Sequence, residues 1–313
     1  MPSDPQRLIG DIGGTNARFA LVETAGAFAE PGVLPTREHS GLAQTIRAWL
    51  GARPMPRELR LAVAGPVRGG CVQLTNLGTR ECAHELRAAL GAETVTLVND
   101  FAAVALAHDH LQAADLRPIG GGEADPRAPV GLLGPGTGLG VAGLAGPPGA
   151  RQLVSSEGGH VSLAAQDEHE ARLIGVLRER FGHVSAERVL SGPGLGHLHQ
   201  ALARLQGATV PALEPAAITE RALAGSDTLC VQTLDQFCRF LGSFAGDLAL
   251  TLGARGGICI AGGIVPRITD YLAASEFRAR FEAKGRFREW LQEIPCRVIA
   301  HPWPALVGLA HSD

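Results

Sequence analysis

The stretch Leu97-Val98-Asn99-Asp100-Phe101 ends one predicted strand and begins a predicted helix. Residues 95–98 are hydrophobic or β-branched, as in a buried strand, and residues 101–107 form an apolar run typical of a helix. Ligands of open α/β folds bind just beyond the carboxyl ends of strands. Asp100 is therefore our candidate for a general base, although an Asn or Asp at this point can equally serve as a helix cap.

A glycine-rich turn near the start of the chain joins two predicted strands. Gly10-Asp11-Ile12-Gly13-Gly14-Thr15-Asn16 follows hydrophobic residues, and residues 17–22 alternate as a strand does. No helix follows the glycines, which excludes both a P-loop and a Rossmann fingerprint. The N–H groups of such a turn can still form an anion nest, and Asp11 could hold hydrated Mg²⁺. The alternative is an ordinary tight turn with positive φ.

A second strand–turn–strand segment repeats this pattern over residues 130–144. Its tip, Gly136-Thr137-Gly138, again combines glycines with a threonine. We interpret the two turns as a duplicated half-fold with two phosphate-binding sites, because a matched pair is stronger evidence than one turn alone. A later pair, Gly262-Gly263, follows another buried strand and would let a flat ring or a ribose approach the backbone closely.

Two polar segments in the second half of the chain add acceptor groups. Glu157-Gly158-Gly159-His160 follows a strand and could be a metal pair, a clamp for sugar hydroxyls or a surface turn. Glu187 lies between apolar neighbours, so it either points into a cleft or ends a helix in solvent. Carboxylates suit sugars because an ionised oxygen accepts stronger hydrogen bonds than a neutral one.

The composition is that of an ordinary globular protein. The 313 residues carry a formal charge of −3, which provides no basic surface for nucleic acid. Six cysteines without a C-x-x-C pair predict buried free thiols in a reducing compartment and no zinc site. The polar start is unlike a signal peptide, and the uncharged stretch 128–150 is too rich in glycine and proline for a membrane helix. We therefore expect a cytoplasmic protein that contacts no membrane.

Apolar periodicity predicts several helices, over residues 42–50, 81–90, 101–107, 167–181, 228–252 and 304–311. The cation-rich stretch 277–291 is interpreted as a surface helix with solvated charges. Residues 114–129 are rich in Gly, Pro and Asp and mark a candidate domain boundary.

The sequence resembles the bacterial ATP-dependent glucokinases, within the fold group of sugar kinases, Hsp70 and actin. The resemblance extends from residue 8 to about residue 311, and its motifs lie at residues 10–18, 98–101, 134–140, 157–160, 185–194 and 261–267. It implies an α/β, two-domain, ribonuclease-H-like (actin-like ATPase) fold with mixed sheets flanked by helices. It also implies a small domain over residues 1–110, joined by the C-terminal helix at about 301–313, and a large domain over 111–300.

The same resemblance implies the ligands and their residues. The ATP phosphates would contact Gly10, Asp11, Ile12, Gly13, Gly14, Thr15, Gly136, Thr137 and Gly138, and the adenosine would contact Gly262 and Gly263. Mg²⁺ would be held by Asp11 through water. Glucose hydroxyls would contact Asn76, Asn99, Asp100, Glu157, His160 and Glu187, and Asp100 would take the proton from the 6-hydroxyl. The enzyme would be a cytoplasmic homodimer of two-domain subunits, and the domains of each subunit would close over the sugar.

Other functions share part of this pattern. A nucleotide-switched protein like Hsp70 or actin would have the phosphate turns but would not need the segments around Glu157 and Glu187. A closer alternative is a kinase for another hexose, or one that uses ADP or polyphosphate as the donor. A sugar-sensing regulator would need a DNA-binding module, for which we see no segment in this sequence.

Overall fold

The computed structural model describes residues 7–23, 26–74 and 78–312, apart from the side chain of Arg37. Its contacts divide the chain into two compact units. The first comprises the described residues of Met1–Gln112 and His301–Asp313, and the second comprises Ala113–Ala300. Among the described residues, no helix has the combination of length and apolar character that a membrane crossing requires.

Strands and helices alternate along the chain. The strands are β1 (Arg7–Ile12), β2 (Asn16–Val22), β3 (Gly32–Pro35), β4 (Glu58–Val63), β5 (Cys71–Leu74), β6 (Thr79–Cys82), β7 (Thr94–Asn99), β8 (Leu116–Pro118), β9 (Val130–Pro135), β10 (Leu139–Ala145), β11 (Gln152–Ser156), β12 (Gly257–Ile260) and β13 (Cys296–Ile299). The helices are α1 (Leu42–Leu50), α2 (Ala83–Leu90), α3 (Asp100–Leu106), α4 (Glu168–Phe181), α5 (Gly192–Leu205), α6 (Pro215–Leu223), α7 (Thr228–Leu252), α8 (Thr269–Ala274), α9 (Phe277–Glu282), α10 (Arg288–Gln292) and α11 (Pro304–His311).

The first unit contains a five-stranded sheet in the order β3-β2-β1-β4-β7. Strands β1, β2 and β3 pair antiparallel, whereas β1, β4 and β7 run parallel. Alternate residues of β1 enter different cores: Leu8 and Ile12 pack in the cluster that includes α1 and α2, and Ile9 packs with α3 and α11. Helix α11 lies close against α3, since a Cβ on Gly308 would be 1.9 Å from the Ala103 carbonyl oxygen.

The second unit repeats this strand arrangement. Its sheet has the order β11-β10-β9-β12-β13-β8, with β9, β10 and β11 antiparallel and with β9, β12 and β13 parallel. The predicted duplicated half-fold is thus confirmed at the level of sheet topology. Helix α7 supplies much of this unit's core through its predicted apolar stripe, in which Leu234, Phe237 and Leu241 are fully buried.

The prediction of a solvated surface helix over residues 277–291 is wrong. Two short helices, α9 and α10, occupy this stretch, and three of its cations pair with carboxylates, whereas Arg286 and Arg288 are exposed. Arg280 binds the fully buried carboxylate of Glu170, and Lys284 lies 2.6 Å from Asp247. Glu170 and Asp247 come from distant parts of the chain, so the sequence pattern of the stretch could not reveal these two pairs.

The prediction of six free thiols is also wrong. Cys71 and Cys82 form a disulfide, whereas Cys230, Cys238, Cys259 and Cys296 are free and buried. The error arises from the predicted helix over residues 81–90, which begins two residues later than expected. Residues 79–82 instead form β6, whose pairing with β5 places the two cysteines opposite each other.

A buried histidine of α5 makes the stability of the second unit depend on pH. His199 is 2% exposed, and its Nδ1 has no hydrogen-bond partner among the described residues. Burial lowers the pKa of His199, nearby Arg221 lowers it further, and the nearby Asp227 carboxylate partly opposes the shift. Below the pKa of an unfolded histidine, about 6.5, His199 is therefore protonated in the unfolded chain to a greater extent than in the folded chain. This contribution favours folding above about pH 6.5 and is lost as the pH falls through the window between the two pKa values.

We expect His199→Leu to reduce the loss of stability on acidification. Urea unfolding midpoints at about pH 7.5 and about pH 5.5 measure this loss, because these values bracket the ordinary histidine pKa. The wild-type midpoint should fall more than that of the variant. Part of the fall should persist, since burial also lowers the pKa of His110 and His197. Equal falls in the two proteins would contradict the role of His199.

Candidate active site

The predicted phosphate turn and the predicted base lie at one edge of the first unit's sheet. Ile12, Val63 and Asn99 end the parallel strands β1, β4 and β7, and they lie in register with one another. The turn at residues 13–15 and the Asn99-Asp100 pair therefore follow strands that end at the same level. Because β4 separates them, their distance across the sheet is about two strand spacings, roughly 10 Å. This is the strand-end position at which α/β folds bind ligands.

The cap and the candidate base are two different residues. The Asn99 side-chain oxygen accepts hydrogen bonds from the backbone N–H groups of Phe101 and Ala102, both at 3.0 Å, so Asn99 caps α3. Its amide Nδ2 donates to Oδ1 of Asp100 at 3.1 Å and to the carbonyl oxygen of Gly65 at 3.2 Å. The same Asp100 oxygen accepts from the N–H of Phe101 at 2.8 Å. These bonds fix the orientation of a half-buried carboxylate.

Hydrogen bonds from a neighbouring segment shape the turn between β1 and β2. Gly13 N–H donates to the Asn16 carbonyl oxygen at 3.0 Å, and the buried Thr36 donates from its hydroxyl to Gly14 and from its N–H to Thr15. The Thr15 side chain is exposed. Neither Gly10 nor Gly13 has a positive φ, so these two glycines are not explained by the tight-turn alternative. The contribution of Thr36 was not recognised from the sequence.

Gly10 is a glycine because of packing. A Cβ at this position would lie 2.8 Å from atoms of Phe19 and Leu61, both fully buried. We expect Gly10→Ala to destabilise the protein by about 1–3 kcal/mol, as overpacking does. Urea unfolding measures this, with Gly175→Ala as the control: Gly175 lies inside α4 with open space around it, so alanine should stabilise there. An unchanged midpoint for Gly10→Ala would contradict the packing explanation.

Asp11 lies beside a cation at the end of β1. Its Oδ2 is 3.4 Å from Nη1 of Arg18, and burial raises the pKa of Asp11 while Arg18 opposes the rise. A single carboxylate of this kind fits the donor set of Mg²⁺, which keeps several waters and takes one or two protein oxygens. Asn76, the remaining predicted sugar contact of this unit, lies outside the described residues.

In the second unit, four predicted segments meet around the tip of the β9–β10 hairpin. The tip is closed by a hydrogen bond of 2.8 Å from Gly136 N–H to the Gly138 carbonyl oxygen. The N–H of Gly192, at the start of α5, donates to the Gly136 carbonyl oxygen, also at 2.8 Å. The Thr137 side chain is exposed at the tip. The contact from Gly192 was not predicted, although its segment belongs to a motif recognised in the sequence.

Glu187 packs directly on this tip. Its Oε2 accepts a hydrogen bond from Leu139 N–H at 2.9 Å, and a Cβ on Gly138 would lie 2.5 Å from the same oxygen. The other oxygen, Oε1, lies 3.9 Å from Nδ1 of His160. About a third of the Glu187 side chain remains exposed. Glu187 therefore joins the predicted phosphate turn to the predicted sugar segment, and the alternative of a solvated helix-end residue is wrong.

The glycines of the segment 157–160 allow it to lie on β10. A Cβ on Gly159 would be 2.2 Å from the Leu139 carbonyl oxygen, and one on Gly158 would be 2.8 Å from Val141. Glu157 and His160 flank this contact and are exposed. The metal-pair alternative gains no support, because the only three-ligand cluster within the described residues is Cys71, Cys82 and His84.

Gly262 also lies against the hairpin. It has a φ of 90°, and a Cβ there would be 2.3 Å from the Pro135 carbonyl oxygen, so both its backbone angle and its surroundings require glycine. Gly263 has open space around its Cβ position. In the second unit, the structure thus brings together residues 136–138, 157–160, Glu187 and 262–263 at the end of the sheet where β9 and β12 terminate.

Comparison with known proteins identifies similar chains over the whole length. The glucokinase family profile matches residues 8–312. A glucokinase from Aromatoleum aromaticum is 49% identical in an alignment 314 positions long that covers 97% of this chain and 93% of the relative. A glucokinase structure from an Antarctic psychrotroph superimposes with a TM-score of 0.87 at 40% identity, covering 97% of both chains. A glucokinase from Balamuthia mandrillaris, solved in complex with glucose, shares the fold at 22% identity, with a TM-score of 0.79 and coverage of 97% and 92%.

Proposed function

The chain belongs to the glucokinase family, and from that premise we propose that it transfers the terminal phosphoryl group of ATP to the 6-hydroxyl of D-glucose. Phosphorylation of glucose is the activity that the full-length similarity supports. The 6-hydroxyl as acceptor, ATP as donor and the roles of individual residues are the parts that we add.

We assign the proton transfer to Asp100. A carboxylate oxygen within reach of the 6-hydroxyl accepts its proton as the oxygen attacks phosphorus, and such a base contributes about 10²- to 10⁴-fold to the rate. The bonds from Asn99 and Phe101 to one oxygen of Asp100 support this role, because they hold the carboxylate in one orientation. Asn76, Asn99, Glu157, His160 and Glu187 bind the remaining sugar hydroxyls in this proposal.

The two glycine turns bind the phosphates through backbone N–H groups other than those of Gly13 and Gly136, which donate within the turns and shape them. Phosphoryl transfer needs positioning and charge stabilisation more than covalent chemistry, so N–H donors fixed by tight packing suit it. Gly13, Gly14 and Thr15 form one turn, and Gly10 and Ile12 belong to β1, which leads into it; Gly10 acts through packing. Gly136, Thr137 and Gly138 form the other, and Gly262 and Gly263 line the adenosine. Asp11 would hold Mg²⁺ through water, and the bound ion would neutralise charge on the phosphates.

The observation that carries the proposal is the contact of Glu187 with the β9–β10 tip. A residue that binds the acceptor sugar and a turn that binds the donor phosphate must be neighbours for transfer to occur. Glu187 accepts the N–H that immediately follows the tip and also lies beside His160. A nucleotide-switched protein without a sugar substrate has no need of this arrangement, which therefore favours the kinase.

A coupled assay across sugars and phosphoryl donors tests the proposal. The chain should turn over glucose with ATP and Mg²⁺, and it should lose activity with EDTA. A higher kcat/KM for another hexose, or for ADP or polyphosphate, would overturn the assignment of substrate or donor. ATP hydrolysis that is independent of any sugar would instead favour the nucleotide-switched alternative.

We also propose a cytoplasmic homodimer, on the basis of the family resemblance. Light scattering coupled to size-exclusion chromatography measures the mass in solution. A mass equal to the 32.6 kDa chain at micromolar concentration would contradict the dimer.

A further inference from the structure

The Cys71–Cys82 disulfide joins two strands that face each other. The two residues are directly opposite in the antiparallel pair β5–β6, with their Cα atoms 4.1 Å apart. Cys71 exchanges both of its backbone hydrogen bonds with Arg68, so the cysteine pair is a non-hydrogen-bonded one, in which side chains approach most closely. The strand register therefore places both sulfur atoms within bonding reach.

Each sulfur has a neighbour that stabilises negative charge. Nη2 of Arg80 lies 3.2 Å from Sγ of Cys71. Cys82 is the N-cap residue of α2; its sulfur makes no cap hydrogen bond, but it lies at the helix end where the dipole favours an anion, with Glu85 of the first turn opposing this effect. Positive charge and helix N-termini are the environments that make cysteines reactive, because the thiolate is the nucleophile. Cys71 is partly exposed, whereas Cys82 is fully buried, so an external reagent meets Cys71 first.

The four free cysteines are all buried, and for Cys296 burial outweighs the effect of Arg278, whose Nη1 lies 3.3 Å from its Sγ. Burial raises the pKa of Cys238 to about 12, of Cys259 to about 11 and of Cys296 to about 12. Burial also raises the pKa of Cys230. These thiols stay protonated at neutral pH and are shielded from solvent. In a labelling experiment on the folded protein, these four thiols therefore serve as internal controls that should not react.

We propose that Cys71 and Cys82 are a reversible thiol–disulfide modification site that exchanges with small-molecule disulfides such as oxidised glutathione. Disulfides of intracellular proteins are usually transient and redox-sensing, and this step rests on the proposed cytoplasmic location. The chemistry itself is independent of the kinase activity.

The exchange proceeds in two substitutions. In oxidation, the Cys71 thiolate attacks one sulfur of oxidised glutathione, breaks its S–S bond and expels a glutathione thiolate, which takes up a proton. The Cys82 thiolate then attacks Cys71 Sγ in the mixed disulfide and expels the second glutathione. The protein loses two protons and two electrons, and oxidised glutathione gains them. In reduction, a glutathione thiolate attacks the partly exposed Cys71 sulfur and Cys82 leaves as a thiolate near the N-terminus of α2; a second glutathione thiolate then attacks the glutathione sulfur of the mixed disulfide, releases the Cys71 thiolate and forms oxidised glutathione.

The test follows the oxidation state of the folded full-length chain by mass. The protein is reduced with dithiothreitol, desalted anaerobically into EDTA, incubated in glutathione redox buffers and quenched with an alkylating agent. We expect one internal disulfide, mapped to Cys71 and Cys82, that forms with oxidised glutathione and is reduced again without denaturant. Cys82→Ser should accumulate a mixed disulfide at Cys71, whereas Cys71→Ser should react far more slowly. Cys259→Ser should behave as wild type.

A further variant tests the contribution of Arg80. Arg80→Gln should slow the first substitution by about three- to tenfold, because a neighbouring cation raises the thiolate fraction while lowering its nucleophilicity only in part. Its folding is checked by urea unfolding of the reduced protein.

Several results would overturn the proposal. One is that the thiols stay reduced across the whole range of redox buffers. Another is that the disulfide resists reduction until the protein is unfolded, as a permanent structural bond does. Equal glutathionylation of Cys71→Ser and Cys82→Ser would refute the assignment of the attacking sulfur. Stoichiometric Zn²⁺ that is retained by the reduced protein and lost in His84→Ala would identify a metal site instead, since His84 completes a three-ligand cluster with the two cysteines.

Discussion

Replacing Asp100 by asparagine is expected to reduce kcat by about 10²- to 10⁴-fold while glucose binding is retained. The amide oxygen of asparagine can still accept the hydrogen bonds that Asn99 and Phe101 donate to Oδ1 of Asp100. Helix α3 also keeps its cap, which is Asn99. The variant therefore removes the proton acceptor and leaves the local structure in place.

Steady-state kinetics and calorimetric titration with glucose separate the two effects. The dissociation constant of glucose should change little, and the loss should appear in kcat. Glu93→Gln is a suitable control, because Glu93 is an exposed carboxylate of the same unit that pairs only loosely with Arg57, at 3.6 Å. Near-normal turnover of Asp100→Asn would remove Asp100 as the base. Complete loss of glucose binding would show that the carboxylate binds the sugar instead.

Local pattern was sufficient to predict much of the fold. The β1–β2 hairpin, α1 and α7 follow from alternation or helical periodicity in one continuous stretch, and the structure confirms them. The two matched glycine turns indicated the repeated sheet because each lies between strands that are adjacent in the chain. Such elements depend on neighbouring residues, which is the information that a single sequence contains.

Helix α5 was not predicted, because its first turn contradicts helix propensity. It begins Gly-Pro-Gly-Leu-Gly, a composition that normally marks a loop. The structure explains the choice: Ser191 caps the helix by accepting from Gly194 N–H at 3.0 Å, and a Cβ on Gly194 would be 2.3 Å from the Val189 carbonyl oxygen. The cap and the close approach of the preceding residues here override propensity.

The residue types of the site were predictable, whereas their contacts were not. The sequence indicated that Asn99 or Asp100 could cap α3, but only the hydrogen bonds distinguish the cap from the candidate base. Similarly, Glu187 accepts a hydrogen bond from Leu139, which is 48 positions away in the chain. Contacts across such separations depend on the packing of the whole unit, so they could not be inferred from local pattern.

Replacing Glu187 by glutamine is expected to lower kcat/KM for glucose by about 10- to 100-fold, mainly through KM, because hydrogen bonds to a charged group contribute about 1.5–3 kcal/mol. Glutamine keeps an oxygen that can accept from Leu139 N–H, so the β9–β10 tip should remain intact. Glu187→Ala should show the same kinetic defect together with a lower urea midpoint, since it removes the acceptor of a buried N–H.

The comparison of the two variants separates sugar binding from support of the turn. Glu179→Gln is the matched control, because Glu179 is an exposed carboxylate of the same unit that pairs with Arg204 on the surface. If Glu187 binds glucose, both Glu187 variants raise KM for glucose and leave KM for ATP closer to wild type. If Glu187 serves only to hold Leu139, Glu187→Gln is nearly normal and Glu187→Ala is impaired in stability alone. That second outcome would remove Glu187 as a sugar ligand, and with it the argument that the donor and acceptor sites are neighbours.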